Sequence, residues 1–223
     1  GLLEPGATPQ ENAQFLLFLC AVIRAVDKYA GLLRASVSGA GNDCRLGENE
    51  APPSVISIFL GSELSEILEC IEKDDLEHYQ SCNNKIELGV STLPRIPQDS
   101  TDRNRTSPFA FTGNKFEFRM LGSSASISNP NVVLNTAVAD VLSEIADRLE
   151  KAEDIKAEIN IIVKEIVKNH KRILFDGNGY SEEWLKEAEK RGLPCAKDTI
   201  EAYGAYKTEE SINLFSKHNV MNR

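Results

Sequence analysis

The chain has 223 residues, near the upper reach of a single hydrophobic core, so it holds one domain or two closely joined pieces. Its 25 Lys and Arg against 34 Asp and Glu leave a net charge of -9, which repels a polyphosphate backbone and argues against nucleic acid as a partner. At 41% hydrophobic and 26% charged the composition is that of a soluble globular protein, and the longest apolar stretch, Phe15 to Ile23, ends at Arg24, too short to span a membrane.

The cysteines, Cys20, Cys44, Cys70, Cys82 and Cys195, are odd in number and contain no C-x-x-C pair. That pattern fits neither a disulfide framework nor a zinc site and points to a reducing, cytoplasmic setting. His78, His170 and His218 stand alone and read as surface or cap residues. The opening Gly-Leu-Leu-Glu-Pro-Gly has no initiator Met and none of the regions of a signal peptide, so the expectation is a chain that starts inside a longer protein.

In chain order, Thr8-Pro9-Gln10-Glu11 predicts a helix start, with a hydroxyl cap, Pro at the first position and Glu three residues on. An apolar face from Phe15 to Tyr29 continues it to a stop at Ala30-Gly31. Residues 36–43, small and Gly-rich, predict a loop. Val55 to Leu60 predicts a strand buried on both faces, and Ser62 to Glu72 an amphipathic helix with Leu64, Ile67, Leu68 and Ile71 inward. Residues 73–101 carry no sustained period and read as an irregular insertion with a strand near Ile86-Leu88. Arg105 to Phe111 and Lys115 to Met120 predict a hairpin across Thr112-Gly113-Asn114. From Asn129-Pro130 the period turns helical, in one stripe from Val132 to Leu149 and another from Ile155 to Val167, joined near Lys151-Asp154. Phe175 to Tyr180 predicts a turn, Ser181 the cap of a helix to Arg191, and Ser211 to Lys217 a last short helix.

Three stretches carry candidate chemistry. In Lys115-Phe116-Glu117-Phe118-Arg119-Met120, strand alternation puts the aromatics and Met120 on one face and Lys115, Glu117 and Arg119 on the other. A carboxylate framed by cations stays ionised and can meet a divalent metal while its neighbours hold anionic groups; the plain alternative is a solvated strand face with weak ion pairs. Arg103 and Arg105 offer guanidinium forks suited to phosphate oxygens, or are two surface arginines. Arg45 to Pro53 is an acidic turn braced by Pro52-Pro53, which holds Glu48 and Glu50 either as lid or base carboxylates or as mere surface charge.

Together these stretches resemble the catalytic core of the glutamine synthetase family, in its long type III form. Arg45-Leu46-Gly47-Glu48-Asn49-Glu50-Ala51-Pro52-Pro53 is similar to the family's R-L-x(n)-E-A-P flap, Arg103-Asn104-Arg105-Thr106-Ser107 to its R-N-R-[ST] segment, and Lys115 to Arg119 to its [RK]-x-E-x-R strand. Asn178-Gly179-Tyr180-Ser181 and the terminal helices resemble the type III tail. The resemblance implies an α+β fold. Residues 1–128 would be a partial catalytic domain of antiparallel strands packed with helices, interrupted by the insertion at 73–101, and residues 129–223 a long-helix C-terminal region. It also implies a reaction: ATP phosphorylates the γ-carboxylate of glutamate, and ammonia displaces the phosphate to give glutamine. Glu50 would then be the flap carboxylate that helps deprotonate ammonium, and Glu117 a ligand of Mg2+ or Mn2+. Arg45 and Arg119 would hold glutamate and the acyl phosphate, Arg105 would steady phosphoryl transfer, and Lys115 would lie near the nucleotide. Family kinship further implies a cytoplasmic homo-oligomer of stacked hexameric rings with sites shared between neighbours.

Three departures from the family pattern bear on these expectations. No second cation follows Arg105 in Thr106 to Phe111, and Cys44 stands where type III relatives are expected to have His. The family's paired acidic strand residues, metal-binding His and β-grasp domain are expected before residue 1, so the isolated 223 residues should be inactive. Two rival readings remain open from the residues: a non-catalytic assembly or regulatory module built on the 132–167 stripes, and a related carboxylate-amine ligase with another amine.

Overall fold

The computed structural model describes residues 1–48, 51–75, 85–86, 96–97 and 106–221. Helix α1 (Ala13–Lys28) is the central element, its face from Phe15 to Val26 buried against the later helices α5 (Ser128–Leu149) and α6 (Ile155–His170). Each large aliphatic or aromatic side chain fully withdrawn from water along such a face contributes about 1.5–3 kcal/mol before entropy is counted. The predicted helix start shifts by four residues. Pro9–Glu11 forms only a 3-10 turn and Thr8 makes no side-chain cap, whereas Asn12 Oδ1 accepts from Phe15 N at 3.0 Å and its amide donates to the carbonyls of Glu4 and Pro5. An amide side chain that caps the helix and ties back the preceding chain outcompetes an exposed threonine.

Gly31 does not stop the helix. Tyr29 marks a break, and α2 (Ala30–Ser36) continues beyond it; a side chain at Gly31 would meet Ala205 at 3.6 Å, so the glycine serves close packing instead. The predicted loop at 36–43 holds a short helix, α3 (Ala40–Asp43). Arg34, 2% exposed, anchors it by donating to Ser38 Oγ, Asp43 Oδ1 and the Ala196 carbonyl, while Thr199 N donates to Asp43 Oδ2 at 2.7 Å. Burial pushes the Asp43 carboxyl up, but its bonds to Thr199 and Arg34 win and hold it below the usual carboxylate range.

The sheet is mixed, with order β1-β4-β5, where β1 is Ile58–Phe59, β4 is Phe109–Phe111 and β5 is Phe116–Phe118. The α+β class stands, but the expected all-antiparallel arrangement does not: β1 runs parallel to β4, Ile58 opposite Phe109. A parallel pair needs a long crossover, and the chain between them supplies it with α4 (Ser62–Lys73) and all that follows to residue 108. On the other edge of β1, Ile58 bridges Leu174, with Phe175 N donating to the Ile58 carbonyl at 2.9 Å; Ile58 is buried and Phe59 only half-buried, short of the predicted burial on both faces. Helix α4 buries Leu64, Ile67, Leu68 and Ile71, the inward set its period predicts. Asp176 caps its start by accepting from Leu60 N, Gly61 N and Ser65 Oγ. Within 73–101 the described pieces are β2 (Lys85–Ile86) and β3 (Ile96–Pro97), an antiparallel pair.

The predicted stripes bury Val133, Ala137, Val141 and Ile145 on α5 and Ile162, Val163, Ile166 and Val167 on α6, while Val132 and Ile155, at their leading ends, are exposed. Asp154 caps α6 through Lys156 N and Ala157 N, and Arg148 pairs with Glu158 and Glu165 across the joint. Helices α7 (Glu182–Lys190), α8 (Thr199–Tyr203) and α9 (Glu209–Lys217) complete the fold. Among the described residues no helix is long and apolar enough to cross a membrane.

Candidate active site

The hairpin forms as its sequence predicts. Strands β4 and β5 pair with Ala110 opposite Glu117, Thr112 N donates to the Lys115 carbonyl at 2.8 Å, and Gly113 takes a φ of 93° that the turn requires. Phe116, Phe118 and Met120 pack on the core, so Lys115, Glu117 and Arg119 share the opposite face. Lys115 is exposed at the turn. Glu117 is 42% exposed and Arg119 15% exposed. The Arg119 Nε and Nη2 both donate to Glu117 Oε2, at 3.2 and 3.1 Å, and Thr112 Oγ1 donates to Oε1 at 3.3 Å. The carboxylate therefore accepts three long bonds and keeps an outward edge.

Arg45 arrives at the same strand from the other direction. Its Nη2 donates to the carbonyls of Met120 and Leu121 at 2.8 and 2.9 Å, the two residues after Arg119, and its Nε donates to Asn42 Oδ1 at 3.0 Å. Asn42 is itself buried, with its amide on the carbonyls of Val37 and Met120. The guanidinium is thus oriented by backbone, and its Nη1 hydrogens carry no bond to the described residues. The turn that follows is pinched at its neck, where Gly47 N donates to the Pro52 carbonyl at 2.9 Å, and its exit, Ala51 to Pro53, is buried. Glu50 and Arg105 lie outside the described residues; of the other four predicted site residues, Glu117 and Arg119 touch, Lys115 lies at the end of the same strand, and Arg45 bonds the backbone beyond Arg119, at Met120 and Leu121.

Among the described residues no group of three or more His, Cys, Asp or Glu side chains converges to hold a metal ion. Glu117 offers a cation one carboxylate and does not form a site with its described neighbours. Among the described residues, two cavities lie elsewhere. One, of about 570 Å3, opens between α4, the end of α6 and residues 174–176; the other, of about 250 Å3, lies between α1, α5 and α6, and neither is lined by Arg45, Glu117 or Arg119.

Two clusters escaped the sequence reading. Asp27, 3% exposed on α1, accepts from His170 Nδ1 at 2.7 Å and Arg172 Nε at 2.9 Å. Asp140, buried on α5, accepts from Tyr29 Oη at 2.9 Å, Lys217 Nζ at 2.7 Å and His218 Nε2 at 3.1 Å, with Lys28 at 3.4 Å. Both histidines stand at helix ends, as the cap reading expects, His170 closing α6 and His218 capping α9, and each also partners a buried carboxylate. The available signal was phase: Asp140 falls in step with Val133, Ala137 and Val141, where a lone acid needs partners.

Residues 158–223 match the family model described as the glutamine synthetase C-terminal domain. Nearly the whole chain aligns with a protein named type-3 glutamine synthetase from Dictyostelium discoideum, at 49% identity over 99% of this chain and 30% of that protein. Proteins named glutamine synthetase from Butyrivibrio fibrisolvens and Bacteroides fragilis (strain YCH46) are each 43% identical, over 100% and 99% of this chain and 32% and 31% of their own lengths. The chain spans about a third of the length of these curated relatives. On the C-terminal match and on alignments that run from the flap-like turn to the last helix, the chain belongs to the glutamine synthetase family.

Proposed function

We propose that this chain is a segment of an ATP-dependent glutamate–ammonia ligase, in which ATP phosphorylates the glutamate γ-carboxylate and ammonia displaces phosphate to form glutamine. The observation that carries this reading is that Arg45 fastens to the chain just beyond the strand of Glu117 and Arg119, at the Met120 and Leu121 carbonyls, while Arg119 pairs with Glu117. Arg45, oriented through Nε and Nη2, presents Nη1 to the carboxylate of glutamate or to the acyl phosphate. Arg119, mostly buried, holds negative charge beside Glu117. Lys115 at the turn serves the nucleotide phosphates, Arg105 the phosphoryl group in flight, and Glu50 the deprotonation of ammonium. Glu117 would offer one carboxylate to Mg2+ or Mn2+, and such an ion, when bound, would supply charge neutralisation at the phosphoryl group.

In this reading residues 1–128 form part of the catalytic domain and residues 129–223 the helical C-terminal region. The whole protein is a cytoplasmic homo-oligomer of stacked hexameric rings, and the isolated chain, holding part of a site, is inactive. The exposure of Lys115 and Glu117 favours a second reading, a non-catalytic assembly or regulatory module built on the 132–167 stripes in which the hairpin face is simply exposed. One assay separates the two. The full-length protein containing this chain should convert glutamate, ammonium and ATP to glutamine, ADP and phosphate, and the 223-residue chain should not. Absence of ATP-dependent glutamine formation by the full-length protein would leave the assembly reading, and preference for another amine over ammonia would point to a related ligase.

A further inference from the structure

One loop of the C-terminal region grips the chain beside two of the proposed site segments. Its base is fixed by Phe175, whose ring stacks on Trp184 at 3.8 Å, and by Asp176 at the start of α4. Asn178 then folds the loop on itself, its Oδ1 accepting from Tyr180 N at 3.0 Å and its carbonyl accepting from Ser181 N. From that support the Tyr180 hydroxyl donates to the Ala51 carbonyl. Gly179 is wedged so closely that a Cβ there would lie 2.3 Å from the Thr106 carbonyl oxygen and 3.2 Å from Pro53 Cγ. Space dictates glycine here, because any side chain must displace the backbone of Thr106. Ala51 directly follows Glu50 in the chain, and Thr106 directly follows Arg105.

We propose that Gly179 and Tyr180 are positioning residues: they set the separation of Ala51 and Thr106, and through it the alignment of the segments that carry the flap carboxylate and the phosphate-binding arginine. The role rests on the ligase reading, although its structural half can be tested without it. Once the acyl phosphate has formed, two outcomes compete. Ammonia nitrogen attacks the γ-carbonyl carbon, the bond from that carbon to the phosphate oxygen breaks, phosphate leaves, and the surplus proton passes to a base, giving glutamine. Alternatively water attacks the same carbon, the same bond breaks, and glutamate and phosphate result. Reacting groups misplaced by an ångström lose up to about 100-fold in rate, and the loss falls on the step that needs alignment, so water gains share.

The test uses Gly179→Ala and Tyr180→Phe in the full-length protein, with phosphate and glutamine measured in the same reaction and hydrogen exchange followed at the Gly47 and Ala51 amides, which bond to Pro52 and Glu48. Gly179→Ala should lower kcat by about 10- to 100-fold with KM for ATP changed by less than about two-fold, and raise phosphate released per glutamine above one. Tyr180→Phe, which removes the hydroxyl's bond to Ala51 and little volume, should give a smaller shift of the same kind. Both should speed exchange at Gly47 and Ala51 while the helical amides of α1 stay protected. Wild-type coupling and wild-type exchange in both variants would overturn the proposal, as would lost activity with unchanged coupling and α1 exchanging as fast as Gly47. If the wild-type protein makes no glutamine, the ligase reading fails by itself, and unchanged exchange in Tyr180→Phe would still refute the positioning role.

Discussion

Asp140 in the helical region and Glu117 on the hairpin are both carboxylates among cations, and the difference in their surroundings separates a structural acid from a chemical one. Asp140, its side chain 5% exposed, is saturated by donors from the end of α1 and from α9. Among the described residues Glu117 accepts only from its strand neighbour Arg119 and from Thr112, at long range, and is 42% exposed. A saturated carboxylate fastens elements together and has no lone pair left for a ligand. One with open lone pairs and a fixed cation beside it contributes little to folding and can accept an incoming partner.

The largest effect expected from this contrast is on stability. Asp140→Ala strips Tyr29, Lys217 and His218 of their common acceptor and should cost about 3 kcal/mol in urea unfolding, near the low end for a broken buried ion pair because Lys217 remains half-exposed. A loss below about 1 kcal/mol would erase the distinction between the two acids, since that is the range of an exposed pair.

The saturated acid should also show itself on acidification. Burial pushes the Asp140 carboxyl up, but hydrogen bonds from Lys217, His218 and Tyr29 outweigh it and hold the carboxyl well below the usual range; the bond to Asp140 correspondingly raises the Lys217 ammonium. A carboxyl depressed on folding contributes stability that is fully present above its unfolded pKa of about 4 and is lost as pH falls toward the native value. Unfolding free energy should therefore drop steeply below about pH 4, and Asp140→Asn should flatten that limb. A steep acid limb in Asp140→Asn would assign it to other groups.

Much of the hairpin side was legible before the structure because its signals are local. The alternation of Lys115 to Met120 and the turn at Thr112 to Asn114 are read within a few residues, as is the inward set of α4. The helical side was less so. Gly31 looked like a stop because its partner, Ala205, is distant in sequence, and Thr8 looked like a cap because the ties from Asn12 back to Glu4 and Pro5 leave no motif. The pairing of Asp27 with His170 spans 143 residues and has no local trace beyond an acid on an apolar face. The parallel pairing of β1 with β4 was hidden for the same reason, a crossover of some fifty residues.

A smaller effect concerns thiol chemistry. Burial pushes the Cys20 thiol on α1 up to about 12, whereas Cys44, beside the flap-like turn, and Cys195 are exposed. A thiol reagent at pH 8 should label Cys44 and Cys195 in the native chain and reach Cys20 only on unfolding. Native labelling of Cys20 would mean that the core around α1 opens more readily than the site beside it.

The most direct test is Glu117→Gln in the full-length protein, assayed for glutamine formation and for unfolding in parallel. The substitution keeps the shape and removes the charge of a half-exposed group. It should lower kcat by about 100- to 1,000-fold while changing stability by less than about 0.5 kcal/mol. Wild-type turnover in that variant would contradict the assignment of the hairpin face to the chemistry.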